Sequence, residues 1–368
     1  MYSQTDLDEA VAAGAISADS AAALRAHIEQ QRSTPAADEE QFRLITGFND
    51  IFVSIAAAIL LFAVGFIGQT VGQTAGTAVD GDGPSFLAPL AVALTAWGLA
   101  LFFTGKRRMA LPSILLLIAF VGGVFATVGF AGALMVGDPA DGQEALYAGI
   151  IGSASGAIAA AAAWLHWKRF RVPITIAVGA AAVSAIAVGI LIAILGDAAG
   201  NAEQLILGLV LFLGIGTFLF AMWWDSSDRA RVTRRSDVAF WLHLLAAPMI
   251  VHPVFTLLGL NDGTATIGEG FIVIVLYVAL GLTALAIDRR ALLVSALAYV
   301  LFALNEMFRQ FGAVELNVAL TALVIGSALL MLSAFWHQAR AMVVRPLPAN
   351  LRERLPLIDR QAVSAQAA

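Results

Sequence analysis

Residues 51–69 read IFVSIAAAILLFAVGFIGQ, an apolar run without one charged side chain. About 20 such residues is the length a helix needs to cross a hydrocarbon core about 30 Å thick. Helix is the form that satisfies every backbone N–H and C=O within the segment, which lipid demands. Similar runs recur at roughly 87–104, 111–136, 145–165, 173–195, 205–224, 238–260, 270–287, 291–312 and 316–336. The expected fold class is therefore all-α, a polytopic transmembrane bundle of about ten spans over residues 51–336. The runs are too long and continuous for the ~10-residue alternating segments of an outer-membrane barrel.

Composition agrees. Of 368 residues, 60% are hydrophobic and 13% charged, and the mean hydropathy is +0.85, whereas soluble domains are about 25% charged. The chain has no cysteine, which excludes disulfides, thiolate metal sites, iron–sulfur clusters and cysteine nucleophiles together. The first 50 residues are polar, without a short apolar region leading to a small-residue cleavage site, so no removable signal peptide is expected. Insertion is expected to begin at the first span.

Outward from that span, residues 1–34 are expected to form a cytoplasmic helical hairpin. Thr5 with Asp8 resembles an N-cap, Gly14 a stop, and Ser17 a second N-cap before a helix running to about Arg32. The hairpin's Leu7, Val11, Ile16, Leu24 and Ile28 are too few for a core of their own, so it must lean on the bundle, a second copy or a partner. Residues 35–50 make a lead-in whose Phe42, Ile45 and Phe48 suit headgroup depth. The tail, 337–368, is polar, contains Pro346, Pro348 and Pro356, and is expected to be mostly disordered apart from a turn at Leu351 to Arg354.

Charge sets the orientation. Loops after even-numbered spans hold Lys106, Arg107 and Arg108; Lys168, Arg169 and Arg171; Arg229, Arg231, Arg234 and Arg235; and Arg289 and Arg290. With the arginines of the N-terminal segment and the tail, all but one of the 21 basic residues fall on one side. The positive-inside rule makes that side the cytoplasm, with both termini on it. The exception is Arg309. The opposite loops carry carboxylates, Asp80 and Asp138 among them, and no lysine or arginine. That acidic face either concentrates cations or simply keeps the loops soluble. Trp164, Trp167, Trp223, Trp224, Trp241 and Trp336 fall at the cytoplasmic helix ends, where indoles anchor spans at the interface. Small residues at steps of four in the fourth span, Ala148, Gly152, Gly156 and Ala160, predict close packing, with the fifth span the natural neighbour.

Enzyme motifs are missing. Ala100 stands where a phosphate loop ending in Gly105–Lys106 needs glycine, no two histidines have HExxH spacing, and Ala154 occupies the nucleophile position of Gly152–Gly156. No catalytic residue, cofactor, metal site or nucleic-acid partner is expected.

One polar constellation stands out. The ninth span contains LFALNEMFRQFG, residues 301–312, placing Asn305, Glu306, Arg309 and Gln310 within or at the rim of an apolar helix. A charge at the bilayer centre costs about 3 kcal/mol on insertion scales. Glu306 and Arg309 share a face. The seventh span, WLHLLAAPMIVHPVF, holds His243, Pro248, His252 and Pro253, and its prolines release the carbonyls of Leu244 and Met249. Counting about 1.5 Å per residue puts His252 and Glu306 at a similar depth, about 22 Å from the inner edge. Asn317 can reach the same region. Two readings stand: a self-neutralised pair with Arg309 snorkelling to water, or a hydrated outward pocket in which Glu306 and His252 exchange a proton or hold a cation. His243, deeper in the inner half, reads as a packing histidine.

The order of parts, DLDEAVAAGAISADSAAALRAHI (6–28), then FRLITGFNDIFVSIA (42–56), then a polytopic bundle, resembles the uncharacterised bacterial membrane proteins of the domain of unknown function 2157 type. That resemblance implies no site residue. An excess of arginine over lysine with abundant alanine fits a GC-rich bacterial genome, hence an inner-membrane location. The function expected is transporter-like or permease-like, for a small solute or ion. The alternative is a non-transporting assembly or sensor component whose N-terminal hairpin binds a cytoplasmic protein partner.

Overall fold

The computed structural model describes residues 10–24, 48–196, 198, 202–229, 231, 233–258, 267–290, 292–293, 297, 301 and 317–356. Two compact units divide it, residues 1–44 and 45–368. In the first, residues 10–12 and 18–24 are helical. Gly14 separates them at φ +71°, a left-handed conformation that glycine adopts without a Cβ penalty. Ser17 caps the second helix, its Oγ accepting from the Ser20 amide at 3.1 Å.

The second unit is a helical bundle. Its helices are α1 (Phe48–Thr74), α2 (Leu87–Phe103), α3 (Ala110–Val136), α4 (Glu144–Phe170), α5 (Ile174–Leu195), α6 (Glu203–Ser226), α7 (Arg234–Leu257), α8 (Ile267–Ile287), α9 (Asn317–Ala334), α10 (Trp336–Val344) and α11 (Ala349–Arg352). Among the described residues there is no sheet, only one isolated bridge between Ala78 and Ser85.

Six helices, α1 and α3 to α7, are long and apolar enough to cross a membrane. The other expected spans stand differently. α2 is apolar but, at 17 residues, shorter; the described apolar stretch of α8 is also short, Ile274–Ile287. α9 bends by 76° into α10 after Ala334. The ninth span, 291–312, lies almost wholly outside the described residues.

The helices are inside-out relative to a soluble bundle. Along α1 the buried positions are Asp50, Ser54, Ala57, Leu61, Gly68 and Gly72, one helical stripe of small and polar residues. Phe52, Ile59, Phe62 and Phe66 on the same helix are exposed. Such a surface is stable where lipid is the solvent, because large apolar side chains gain nothing by leaving it and small ones let backbones approach. The closest approach is between α4 and α5. A Cβ on Gly149 would lie 2.5 Å from the Gly189 carbonyl oxygen, and one on Gly156 would lie 2.9 Å from the Ala182 carbonyl oxygen. The tightest contacts run through Gly149, Ser153 and Gly156: Gly156 is one of the positions that steps of four predict, a Cβ on Gly152 would be in looser contact at 4.0 Å from the Gly189 Cα, and Gly149 and Ser153 widen the face to one side. A helix has 3.6 residues per turn, so a four-residue step drifts off a straight contact line.

α7 is the core helix of the second half, with 50% of its membrane window buried against 11–28% for the other five. It packs on α6, where a Cβ on Gly214 would sit 2.9 Å from the Met249 carbonyl oxygen. Val251 and Phe255 of α7 share a cluster with Ile325 of α9, and with Ile274 and Leu280 of α8 against it. Met249, whose carbonyl Pro253 frees, therefore has that oxygen closed in by α6. In the described part of the tail, residues 337–356, α10 and α11 are helical, and Val344 and Leu355 are buried with Leu285, Ile287 and Leu292.

Candidate functional site

The last turn of α6 reads WWDS, and its Asp225 carboxylate is fully buried. A helix C-terminus is itself electronegative, so a carboxylate there needs cations. Two arginines supply them and a histidine adds a hydrogen bond. Arg289, just past α8, donates through Nε to Oδ2 at 3.3 Å and through Nη2 to Oδ1 at 2.5 Å. His243 on α7 lies with Nε2 3.2 Å from Oδ2. The Nε of Arg231, in the α6–α7 connection, is 3.9 Å from Oδ1. Arg289 is tied further to α7 by donating to the Ser236 carbonyl at 2.9 Å.

A second carboxylate, Asp288, sits beside the first. Its Oδ2 accepts from Arg231 Nη1 at 3.1 Å, and its Oδ1 accepts from the Trp336 indole at 2.8 Å with Arg340 Nε 3.7 Å away. Arg231 also donates to the backbone carbonyls of Asp288 at 3.0 Å and Ile287 at 2.7 Å, closing the end of α8. Both residues are left-handed, Arg231 at φ 55° and Asp288 at φ 57°. That conformation costs about 1 kcal/mol for a residue with a Cβ; the bidentate contact offsets it and aims both side chains inward. Asp228 pins the same connection by accepting from the Thr233 amide at 2.9 Å and hydroxyl at 2.6 Å.

Nine residues into α7, the His243 side chain is fully buried, with Phe218 edge-on at 5.2 Å. A carboxylate only accepts, so the Nε2 facing it carries the hydrogen. Nδ1 is buried with no partner among the described residues. The pair therefore leaves one imidazole lone pair without a hydrogen-bond partner among the described residues, inside an apolar helix and beside a buried carboxylate. Among the described residues no three His, Asp or Glu side chains gather to hold a metal ion.

Of the site residues read from sequence, His252 and Asn317 are the two that the structure describes. His252 lies on α7, exposed, its carbonyl accepting from the Thr256 hydroxyl at 3.0 Å. Asn317 opens α9. Asn305, Glu306, Arg309 and Gln310 lie outside the described residues. Three arginines that read as loop charges, Arg231, Arg289 and Arg340, are buried in ion pairs. This does not weaken the orientation rule, which acts on the chain as it inserts, before tertiary contacts form. Trp336, read as an interface anchor, is instead buried at 3% exposure and bonded into the cluster. Trp164 and Trp223 are exposed, as interface anchors are.

The fold and the buried charge define the class: an all-α, multi-pass membrane protein whose α6, α7, α8 and α10 meet in an ion-paired cluster. No family model, curated protein or solved structure matches the chain.

Proposed function

We propose that the chain is a transporter-like or permease-like protein of a bacterial inner membrane, with ten spans and both termini cytoplasmic, and that the Asp225–His243 pair handles a proton or small cation at its inner end. The near-total confinement of basic residues to one set of loops supports the orientation, and the order of hairpin, lead-in and bundle supports kinship with the domain of unknown function 2157 type. One observation carries the functional reading: the imidazole of His243, bonded to a buried carboxylate, has no partner for Nδ1 among the described residues, in an apolar helix that contains two prolines. A lock built only for rigidity needs arginines and carboxylates but no titratable base. Intramembrane histidine and carboxylate groups are common material of proton relays.

The test uses the full chain reconstituted into vesicles with a trapped pH dye, under imposed gradients of sodium, potassium or chloride. Proton movement above that of protein-free vesicles is expected for at least one ion. His243→Gln, which leaves the Asp225–Arg289 pair in place, should abolish it while the protein elutes unchanged in gel filtration. Glu306→Gln forms a separate arm for the outer half of the membrane. Wild-type vesicles indistinguishable from protein-free ones under all three gradients would overturn the transport reading.

A further inference from the structure

Residues 86–137 and 145–196 contain no aspartate or glutamate. The connections within those stretches, residues 105–109 between α2 and α3 and residues 168–172 at the end of α4, carry Lys106, Arg107, Arg108, Lys168, Arg169 and Arg171. All six are exposed, and none is ion-paired among the described residues. The two connections meet. The Phe170 ring packs with Ala100, Phe103 and Leu116, and a Cβ on Gly105 would lie 3.5 Å from its Cε1. The second half of the bundle uses its basic residues otherwise, burying Arg231, Arg289 and Arg340 against Asp225 and Asp288. Backbone conformation sharpens the contrast. Arg108 at φ 53° and Arg171 at φ 56° hold the left-handed form that a residue with a Cβ adopts only at a cost. Arg231 and Asp288 hold it too and turn their side chains into the ion cluster, whereas those of Arg108 and Arg171 are exposed.

We propose that these two connections together form a docking surface for the headgroups of anionic phospholipids in the adjoining leaflet. Six like charges on touching connections repel one another, and an anion relieves that repulsion. The neighbours of the cations select a lipid over a soluble acid. Shortly before them in the chain lie large exposed apolar side chains, Leu101 and Phe102 on α2 and Trp164 and Leu165 on α4. Acyl chains cover such a surface; an acidic protein in water does not. The Lys168 ammonium lies 3.9 Å from the centre of the Trp164 ring, and the Arg107 and Arg169 guanidiniums lie 5.6 Å from Phe102 and 5.5 Å from Phe170. A ring face attracts a cation without neutralising it, so the charge is held in place and remains available to phosphate. Asp50, which lines a cleft with Arg107, is buried and forms no ion pair with it.

Native mass spectrometry of the full-length protein in detergent, supplied with phosphatidylglycerol or with phosphatidylcholine of the same chains, reads the surface. A basic side chain near an anionic headgroup is worth about fivefold in affinity, so wild type should prefer phosphatidylglycerol by about tenfold or more. One variant combines Lys168→Gln, Arg169→Gln and Arg171→Gln, and another Lys106→Gln, Arg107→Gln and Arg108→Gln. Each should elute as wild type in gel filtration, since the side chains are exposed, and each should lower the preference by about fivefold or more. Arg107→Lys with Arg108→Lys keeps the charge and should keep the preference. Arg234→Gln with Arg235→Gln removes exposed cations of the second half, where Arg234 already faces Asp237, and should leave it unchanged. Equal retention of the two lipids by wild type, a preference unchanged in either neutralised connection, or an equal loss in the Arg234→Gln, Arg235→Gln control would overturn the proposal. So would displacement of the lipid by millimolar glycerol phosphate, which would assign the cations to a soluble phosphate.

Discussion

Asp225→Asn is the sharpest perturbation of this bundle. The change keeps the side chain's shape and removes its charge, leaving Arg289, 3% exposed, without the carboxylate it meets through two nitrogens. At an effective dielectric near 20, two unit charges about 3 Å apart attract by about 5 kcal/mol. Breaking a buried pair by removing one partner costs about 3–5 kcal/mol, because the remaining charge stays desolvated. His243 loses its acceptor as well. A destabilisation of about 3–5 kcal/mol is therefore expected, measured by denaturant titration of the protein in one fixed detergent with tryptophan fluorescence as readout. Arg289→Gln alone should cost a similar amount. The double variant should cost less than the two singles together by about 1.5 kcal/mol or more, since neutralising both leaves no orphan charge. Single variants within about 0.5 kcal/mol of the parent, the range of ordinary surface changes, or strict additivity, would refute the reasoning.

Other expectations follow from the same contacts. Trp336→Phe removes the indole donor from Asp288 and should cost about 1–3 kcal/mol; because the bond holds α10, limited proteolysis should then cut within residues 337–356 faster than in wild type. Gly149→Ala puts a methyl against the α5 backbone and should cost about 1–3 kcal/mol as overpacking. Gly208→Ala, where a Cβ meets nothing within 4 Å, should be near neutral in the same denaturant titration. Arg231→Lys, keeping charge but not the fork that reaches Asp288 and Ile287, should destabilise measurably, by at least the roughly 1 kcal/mol of one lost hydrogen bond.

The membrane class was legible because it rests on a one-dimensional property: runs such as 111–136 and 205–224 meet the length criterion whatever packs beside them. Packing between α4 and α5 was legible in kind and partly in register: Gly156 and Gly152 meet α5 as the four-residue step suggests, while the tight contact at Gly149 lies off that step because a helix turns every 3.6 residues. The ion cluster was not legible. Asp225, Arg231, Asp288, Arg289 and Arg340 are spread over more than one hundred positions, and each looks like the retained charge at a span's inner end. Burial, which separates a paired arginine from a solvated one, is decided by which helix ends converge. A signal did exist: Asp225 directly after a tryptophan pair and Asp288 directly before two arginines put carboxylates on the basic side at the depth of His243. Arg231 and Asp288 in left-handed conformations carried no sequence mark at all, because arginine and aspartate, unlike glycine, do not announce them.

Sidedness of the cluster is the claim on which most depends, and the absence of cysteine makes it directly measurable. Single replacements Ser227→Cys, beside Asp225, and Asp141→Cys, before α4, are separated by α4, α5 and α6, three helices long enough to span. Membrane-impermeant thiol reagents applied to right-side-out and inverted vesicles should label position 227 from the cytoplasmic face alone and position 141 from the opposite face alone. Labelling of both positions from the same face, or of 227 from the outer face, would contradict the account.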